Sequence, residues 1–213
     1  MFLSEELKLL FIHIPHTGGV SFKASFSNYG VDDLFPYLKT ADQKKYVSHR
    51  LVFPTHVSMR EAETAYNINV LKYKRLSIVR NPWTRYASLW LAVRRNNQHR
   101  LTKFANTNSF RRFIEKLAAG DLGFDMNNQL YFLIDSAATL NFDFIIRFEN
   151  YDADLLRVAE YFDVEIDIQK AEGRRKNPEP TDYFSLYGSR EKEIVASLCE
   201  YEIEIFKYTF GNG

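Results

Sequence analysis

Residues 9–22 read LLFIHIPHTGGVSF, and the fold turns on this stretch. Leu9-Leu10-Phe11-Ile12-His13-Ile14 is short, apolar and β-prone, and Pro15 closes it, which suits a buried strand. Pro15-His16-Thr17-Gly18-Gly19-Val20-Ser21 follows as a tight polar loop, and Phe22 to Tyr29 continues with helical spacing. Strand, glycine loop and helix in succession form the unit that most often holds phosphates. Two glycines let the backbone fold close around an anion, the helix start offers unpaired N–H groups, and Thr17 and Ser21 add hydroxyls. The loop lacks the Gly-x-x-x-x-Gly-Lys-[Ser/Thr] spacing of a Walker A motif. Taken alone, it reads equally as a turn that simply needs glycine.

Working outward, residues 75–90 read RLSIVRNPWTRYASLW. Arg75 to Arg80 is a second strong strand, Asn81 caps the next helix, and Pro82 takes its first position, where a missing N–H costs nothing. Trp83, Tyr86, Trp90 and Val93 repeat at helical spacing and mark a buried face. Arg80 therefore stands at the carboxyl end of a strand, where ligands of open α/β sheets bind, with Arg85 and Ser88 on the helix behind it. A guanidinium and a hydroxyl converging on one phosphate is sound chemistry. A surface arginine beside an ordinary capped helix accounts for the same residues.

The rest of the chain repeats this alternation. A short strand is expected at Leu51-Val52-Phe53, and a capping box from Ser58 to Glu61 opens a helix. Helices are predicted over 107–119, 127–134, 152–162 (with Leu155, Leu156, Val158 and Ala159 apolar) and 190–206, the last packing Ile194, Leu198, Tyr201 and Ile205. A further strand falls at 142–148. Strands separated by helices predict an α/β fold, a parallel β-sheet flanked by helices, in one domain spanning residues 1–213.

Composition narrows the partners. The 213 residues carry 28 Lys+Arg against 27 Asp+Glu, a net charge of +1, so no global field draws a polyanion and nucleic-acid binding is not expected. The 15% aromatic content is foreign to a disordered chain. One cysteine excludes a disulfide framework and a multi-thiolate zinc site, and no His/Asp/Glu grouping has metal-site spacing, so no metal is expected. The start, MFLSEE, is acidic where a secretory signal would be basic, and no stretch approaches the ~20 apolar residues of a membrane span. The cytoplasm is the expected compartment.

Together the two motifs are far more specific than either alone. FIHIPHTGGVSF at 11–22, followed by RNPWTRYASLW at 80–90, resembles the PAPS-dependent sulfotransferase superfamily, with its P-loop-like fold, and most closely its carbohydrate sulfotransferase branch. FIIRFENYDADLLRVAEYF at 144–162 is similar to the family's Arg-Phe-Glu-Asn segment, and Asn177 with the KYTFG ending at 207–211 is similar to its C-terminal part. The resemblance implies a transfer of the sulfuryl group from PAPS (3′-phosphoadenosine 5′-phosphosulfate) to a hydroxyl acceptor, a carbohydrate or small metabolite. Thr17, Gly18, Gly19, Val20 and Ser21 would hold the 5′-phosphosulfate, and Arg80 with Ser88 the 3′-phosphate. Arg174, Arg175 and Lys176 fall where relatives bring a basic loop over the nucleotide; a solvated charge run explains them as well.

Sulfuryl transfer to a hydroxyl requires a base for the acceptor's proton and charge stabilisation on the leaving phosphate. His56, in Pro-Thr-His-Val-Ser, is placed like the segment that supplies the base in several branches; its alternative reading is a capping or supporting histidine. His49 is a weaker candidate, His13 reads as a core residue on the first strand, and His99 lies among Arg94, Arg95 and Arg100 near a helix end. One departure stands out: His16 occupies the position of the family's phosphosulfate-contacting lysine. A histidine with a pKa near 6.5 is cationic only about a quarter of the time at pH 7. His16 then acts as a weaker cationic donor, Lys23 reaches in from the first helix, or the chain is a non-catalytic sulfonucleotide- or glycan-binding relative. A P-loop-type small-molecule kinase is a further alternative, against which the missing Walker lysine counts. Tyr131, Trp90, Arg111 and Arg112 are candidates for an acceptor cleft and read equally as core or surface residues.

Overall fold

The computed structural model describes residues 1–33, 56–64, 68–122, 128–168 and 182–211. Among the described residues five strands form one sheet: β1 (Phe2–Ser4), β2 (Leu9–Ile12), β3 (Asp32–Asp33), β4 (Lys74–Val79) and β5 (Phe144–Arg147), in the order β3-β1-β2-β4-β5. The helices among the described residues are α1 (Gly19–Ser25), α2 (Met59–Thr64), α3 (Pro82–Arg95), α4 (Thr102–Thr107), α5 (Phe110–Ala118), α6 (Gln129–Leu133), α7 (Tyr151–Tyr161), α8 (Ser189–Leu198) and α9 (Glu200–Phe206). The chain divides into two compact units, Met1–Val79 with Gln129–Lys176, and Arg80–Asn128 with Asn177–Gly213.

The first unit contains the sheet. β2 pairs in parallel with β4 (Leu9↔Lys74 to Ile12↔Ser77), and β4 with β5 (Leu76↔Phe144 to Val79↔Arg147), so the expected α/β fold with a parallel sheet flanked by helices is present. All four residues of β2 are buried, as a strand covered on both faces requires. The sheet also has a part absent from the sequence reading: β1 turns back through Glu5–Lys8 and pairs antiparallel with β2, Phe2 opposite Phe11. The Ser4 hydroxyl stabilises that turn, accepting from the Leu7 N–H at 3.1 Å and donating to the Tyr29 carbonyl at 2.6 Å. Phe2, Phe11, Phe22 and Phe26 stack in series at centroid separations of 5.6, 4.1 and 4.7 Å, which pins α1 to the sheet. Burying each such ring contributes about 1.5–3 kcal/mol. The Ser58–Glu61 capping box forms as expected, with Glu61 N–H donating to Ser58 Oγ and Ser58 N–H to Glu61 Oε2.

The second unit is helical and built around α3. Asn81 caps α3, its Oδ1 accepting from the Trp83 N–H at 3.1 Å. The Trp83 indole donates to the Lys192 carbonyl at 3.1 Å, and the Tyr187 hydroxyl donates to the Trp83 carbonyl at 2.6 Å. Two sequence expectations are corrected here. The helix expected over 107–119 begins at Phe110, because Ser109 Oγ accepts the Arg112 N–H and caps it, while Thr102–Thr107 forms a helix of its own. The helix expected over 190–206 breaks at Cys199 and buries a different face. Tyr201 is 68% exposed and Ile205 and Leu198 are also exposed, whereas Glu191, Val195, Cys199, Glu202 and Phe206 are buried. The two faces differ by one residue, and the buried one carries two carboxylates, which hydrophobic periodicity scores against. The strand expected at 51–53 lies outside the described residues. In α7, Leu155, Val158 and Ala159 are buried while Leu156 is exposed.

Candidate functional site

β2 ends at Ile12, and His13 and Ile14 carry the buried chain on to Pro15. His16 adopts φ 65° and Gly18 φ 96°, so the loop passes through the left-handed region twice before α1 begins at Gly19. Histidine is among the few side-chain-bearing residues enriched there. The first helical bonds are those that Ser21 and Phe22 donate to the Gly18 carbonyl, at 3.0 and 3.1 Å, and the Gly19 and Val20 amides precede them. Thr17 is fully buried and its hydroxyl donates to the Ile14 carbonyl at 2.9 Å, so that proton holds the loop rather than awaiting a ligand. Ser21 is buried and Val20 exposed.

Both glycines are required by their neighbours. A Cβ on Gly18 would stand 3.2 Å from the Phe148 ring, which belongs to the Arg147-Phe148-Glu149-Asn150 segment, and 3.4 Å from Tyr151. A Cβ on Gly19 would overlap the His13 imidazole, 2.1 Å from its Cδ2. His13 is 5% exposed, and its Nδ1 finds no hydrogen-bond partner among the described residues. Burial, and next the neighbouring His56, hold its pKa well below 6.5, so it is neutral at pH 7.

His56 lies against this strand end. Its Nδ1 is 3.0 Å from the His13 carbonyl oxygen, and the two rings are 4.5 Å apart. A carbonyl only accepts, so Nδ1 carries a proton, and in the neutral imidazole the lone pair is then on Nε2. That is the protonation state a general base needs. The Lys23 ammonium lies over the Phe2 ring, 5.3 Å from its centroid.

Arg80, in the second unit, follows the last residue of β4 and is 4% exposed. Its Nε donates to Thr84 Oγ1 at 3.0 Å, and its guanidinium lies 5.0 Å over the Tyr183 ring. Thr84 passes the bond on, donating to the Asn81 carbonyl at 3.1 Å. Thr84 and the half-buried Ser88 are four residues apart on α3 and so share a face, which sets Arg80 along one polar row with Ser88. Thr84 and Tyr183 were not singled out by sequence reasoning, the 80, 84, 88 spacing being the signal that identifies Thr84, whereas His13, read as a core residue, is buried.

Arg85 has a different role from an anion ligand. It is fully buried, as is Glu202, and both act electrostatically on the buried Cys199 and Tyr86. Burial, reinforced by Glu202, pushes the Cys199 thiol up, which keeps it protonated and inert. His99 Nδ1 accepts from the Leu101 N–H at 3.2 Å, and burial followed by Arg100 lowers its pKa. Trp90 is buried against Phe110 and carries Arg94 on its ring face, while Arg111 and Arg112 are exposed and pair with Glu115. Tyr131 is partly exposed in the first unit, its hydroxyl 3.5 Å from Glu61. Arg174, Arg175, Lys176 and His49 lie outside the described residues. Among the described residues no group of three or more His, Cys, Asp or Glu side chains is placed to hold a metal ion, and no helix is long and apolar enough to cross a membrane.

No match was found among curated proteins, and none among solved structures. A family model described as "Sulfotransferase family" matches residues 1–209, nearly the whole chain and both strand-to-helix turns described above. The chain therefore belongs to the sulfotransferase family.

Proposed function

We propose that this protein transfers the sulfuryl group of PAPS to a hydroxyl acceptor, a carbohydrate or small metabolite, by in-line displacement, in the cytoplasm and without a metal. The observation that carries the reading is the His56 imidazole, held against the strand that leads into the glycine loop with its Nδ1 turned to the His13 carbonyl. The bound donor supplies an activated sulfuryl group, and the residues present fit its anionic ends. Gly18 and Gly19 let the Phe148 and His13 rings pack against the loop, the Gly19 and Val20 amides with Ser21 are its donors for the 5′-phosphosulfate, and Arg80 is a buried cation for the 3′-phosphate with Ser88 along the same row.

His56 Nε2 takes the acceptor's hydroxyl proton as that oxygen bonds to sulfur. The sulfur–oxygen bond to the 5′-phosphate breaks, and its electron pair leaves on adenosine 3′,5′-bisphosphate. His16 and the loop amides stabilise the charge that collects there. Phosphate raises the cationic fraction of an adjacent histidine by favouring imidazolium. Arg174, Arg175 and Lys176 are assigned to the nucleotide as further cations in this reading.

Labelled sulfate transfer from PAPS to an acceptor panel tests the reaction. His56→Ala should lower transfer by about 10²- to 10⁴-fold, with the melting shift caused by adenosine 3′,5′-bisphosphate retained; unchanged transfer removes His56 as the base. His16→Lys should raise turnover at least tenfold, within the 10²- to 10³-fold that one preorganised donor supplies. Equal or lower turnover sinks the cation argument and favours the second reading, a non-catalytic binding relative, for which His16 at the lysine position is the supporting observation. Stabilisation by ATP–Mg and not by adenosine 3′,5′-bisphosphate would point to a kinase.

A further inference from the structure

Sequence reasoning leaves His13 as a core residue, yet three separate contacts converge on it. Its carbonyl oxygen is 3.0 Å from His56 Nδ1, its ring is 4.5 Å from the His56 ring at 49°, and its Cδ2 and Nε2 occupy the space where a side chain on Gly19 would project. Phe2 backs the ring at 4.9 Å, and Phe2 is itself stacked on Phe11 in the strand beside it. His13 is thus a rigid block, 5% exposed, touching the proposed base and the glycine loop at once. Its Nδ1 is buried with no hydrogen-bond partner among the described residues, so this nitrogen relays no proton to His56. What His13 offers is a ring of fixed shape and a carbonyl of fixed direction.

We propose that His13 is a positioning residue: its carbonyl fixes His56 as the Nδ1–H tautomer, and its ring sets the orientation of that imidazole while Gly19 rests on the same ring. The inference builds on the reading of His56 as the base. Its consequence is a coupling between positions 19 and 56, which are far apart in sequence: filling the space beside Gly19 must move His13, and moving His13 must release His56. A residue that merely packed the core would affect stability without changing which nitrogen of His56 holds the proton.

The test is ¹⁵N-histidine NMR of the whole chain, together with transfer kinetics. In the wild type, His56 should show a single Nδ1–H tautomer. His13→Ala and Gly19→Ala should each convert it to a mixture, with kcat at least tenfold lower. His13→Phe keeps a flat ring behind the main-chain carbonyl that every variant shares, and should restore the tautomer and most of kcat. Should His13→Ala fail to fold, His13→Leu takes its place, keeping bulk without the flat ring. A wild-type His56 protonated on Nε2 would overturn the proposal. So would a single Nδ1–H tautomer surviving in Gly19→Ala, or a His13→Phe variant as impaired as His13→Ala. The tautomer is read without turnover, so a wild type that shows the coupling but transfers no sulfate would count against the proposed reaction and not against His13.

Discussion

The turn after β2 and the turn after β4 both lead from a parallel strand into a helix, but one is made mainly of backbone and the other of side chains. After β2, Gly18 and Gly19 remove every atom beyond Cα, His16 and Gly18 take left-handed conformations, and the neutral His13 ring fills the space vacated. After β4, Asn81 caps and Pro82 opens the helix, and Arg80 and Arg85 are drawn under cover by Thr84, Tyr183 and the buried surroundings of Glu202. The first turn depends on shape and tolerates no added volume. The second depends on charge and tolerates no lost partner. Substitutions that add a methyl group should therefore hurt one, and substitutions that remove a cation should hurt the other.

The largest effect should come from Arg85→Met. It leaves the fully buried Glu202 without the guanidinium that shares its surroundings, and breaking such a buried charge arrangement costs about 3–5 kcal/mol. Chemical denaturation measures it, and a loss below 1 kcal/mol would mean that Arg85 packs as an apolar residue does. Arg85→Met combined with Glu202→Leu should recover much of the deficit, because the desolvation penalty goes with the charge.

Gly19→Ala should come next, at about 1–3 kcal/mol for overpacking a filled site. It should also remove most of the melting shift given by adenosine 3′,5′-bisphosphate. Full retention of both would show that the His13 ring yields easily and that the first turn is not governed by shape.

The smallest effect is a pH dependence. The pKa of His13 is depressed in the folded state, so below about 6.5 the unfolded chain binds a proton that the native state refuses. Stability attributable to His13 is intact above pH 6.5 and declines as pH falls toward its folded pKa, by at most about 1.4 kcal/mol per pH unit. His13→Phe should flatten that limb of the denaturation midpoint against pH. An unchanged slope would assign the acid sensitivity to other groups.

These contrasts explain what the sequence made legible. The glycine turn was legible as a strand-to-helix turn from Gly18, Gly19 and the apolar run before them, and it became specific only when paired with the motif that begins at Arg80. The cap at Asn81 and the box from Ser58 to Glu61 were equally plain, being short-range bonds encoded within four residues. The buried face of the last helices was not. Periodicity placed Ile194, Leu198, Tyr201 and Ile205 inside, while the chain buried Glu191 and Glu202 one residue away, with Glu202 and the distant Arg85 both acting on the buried Cys199. Buried charges brought together from so far apart in sequence leave no local trace. His13 was hidden for a related reason, since its value lies in what touches its ring and carbonyl, and neither Gly19 nor His56 advertises that contact in sequence.

The β1–β2 hairpin has a consequence for how the chain reaches this state. Its two strands are joined by Glu5–Lys8 and can close on the microsecond scale of a hairpin. The parallel partner of β2 is β4, which begins only at Lys74. At about 5–20 residues per second, synthesis delivers that partner several seconds after β2 has emerged. During that interval one edge of β2 is paired by β1 while the other, wholly apolar in sequence, awaits a strand not yet made. Docking of β4 is thus expected to be slower than hairpin closure, and until it occurs the edge of Leu9–Ile12 that β4 will cover is open to other strands.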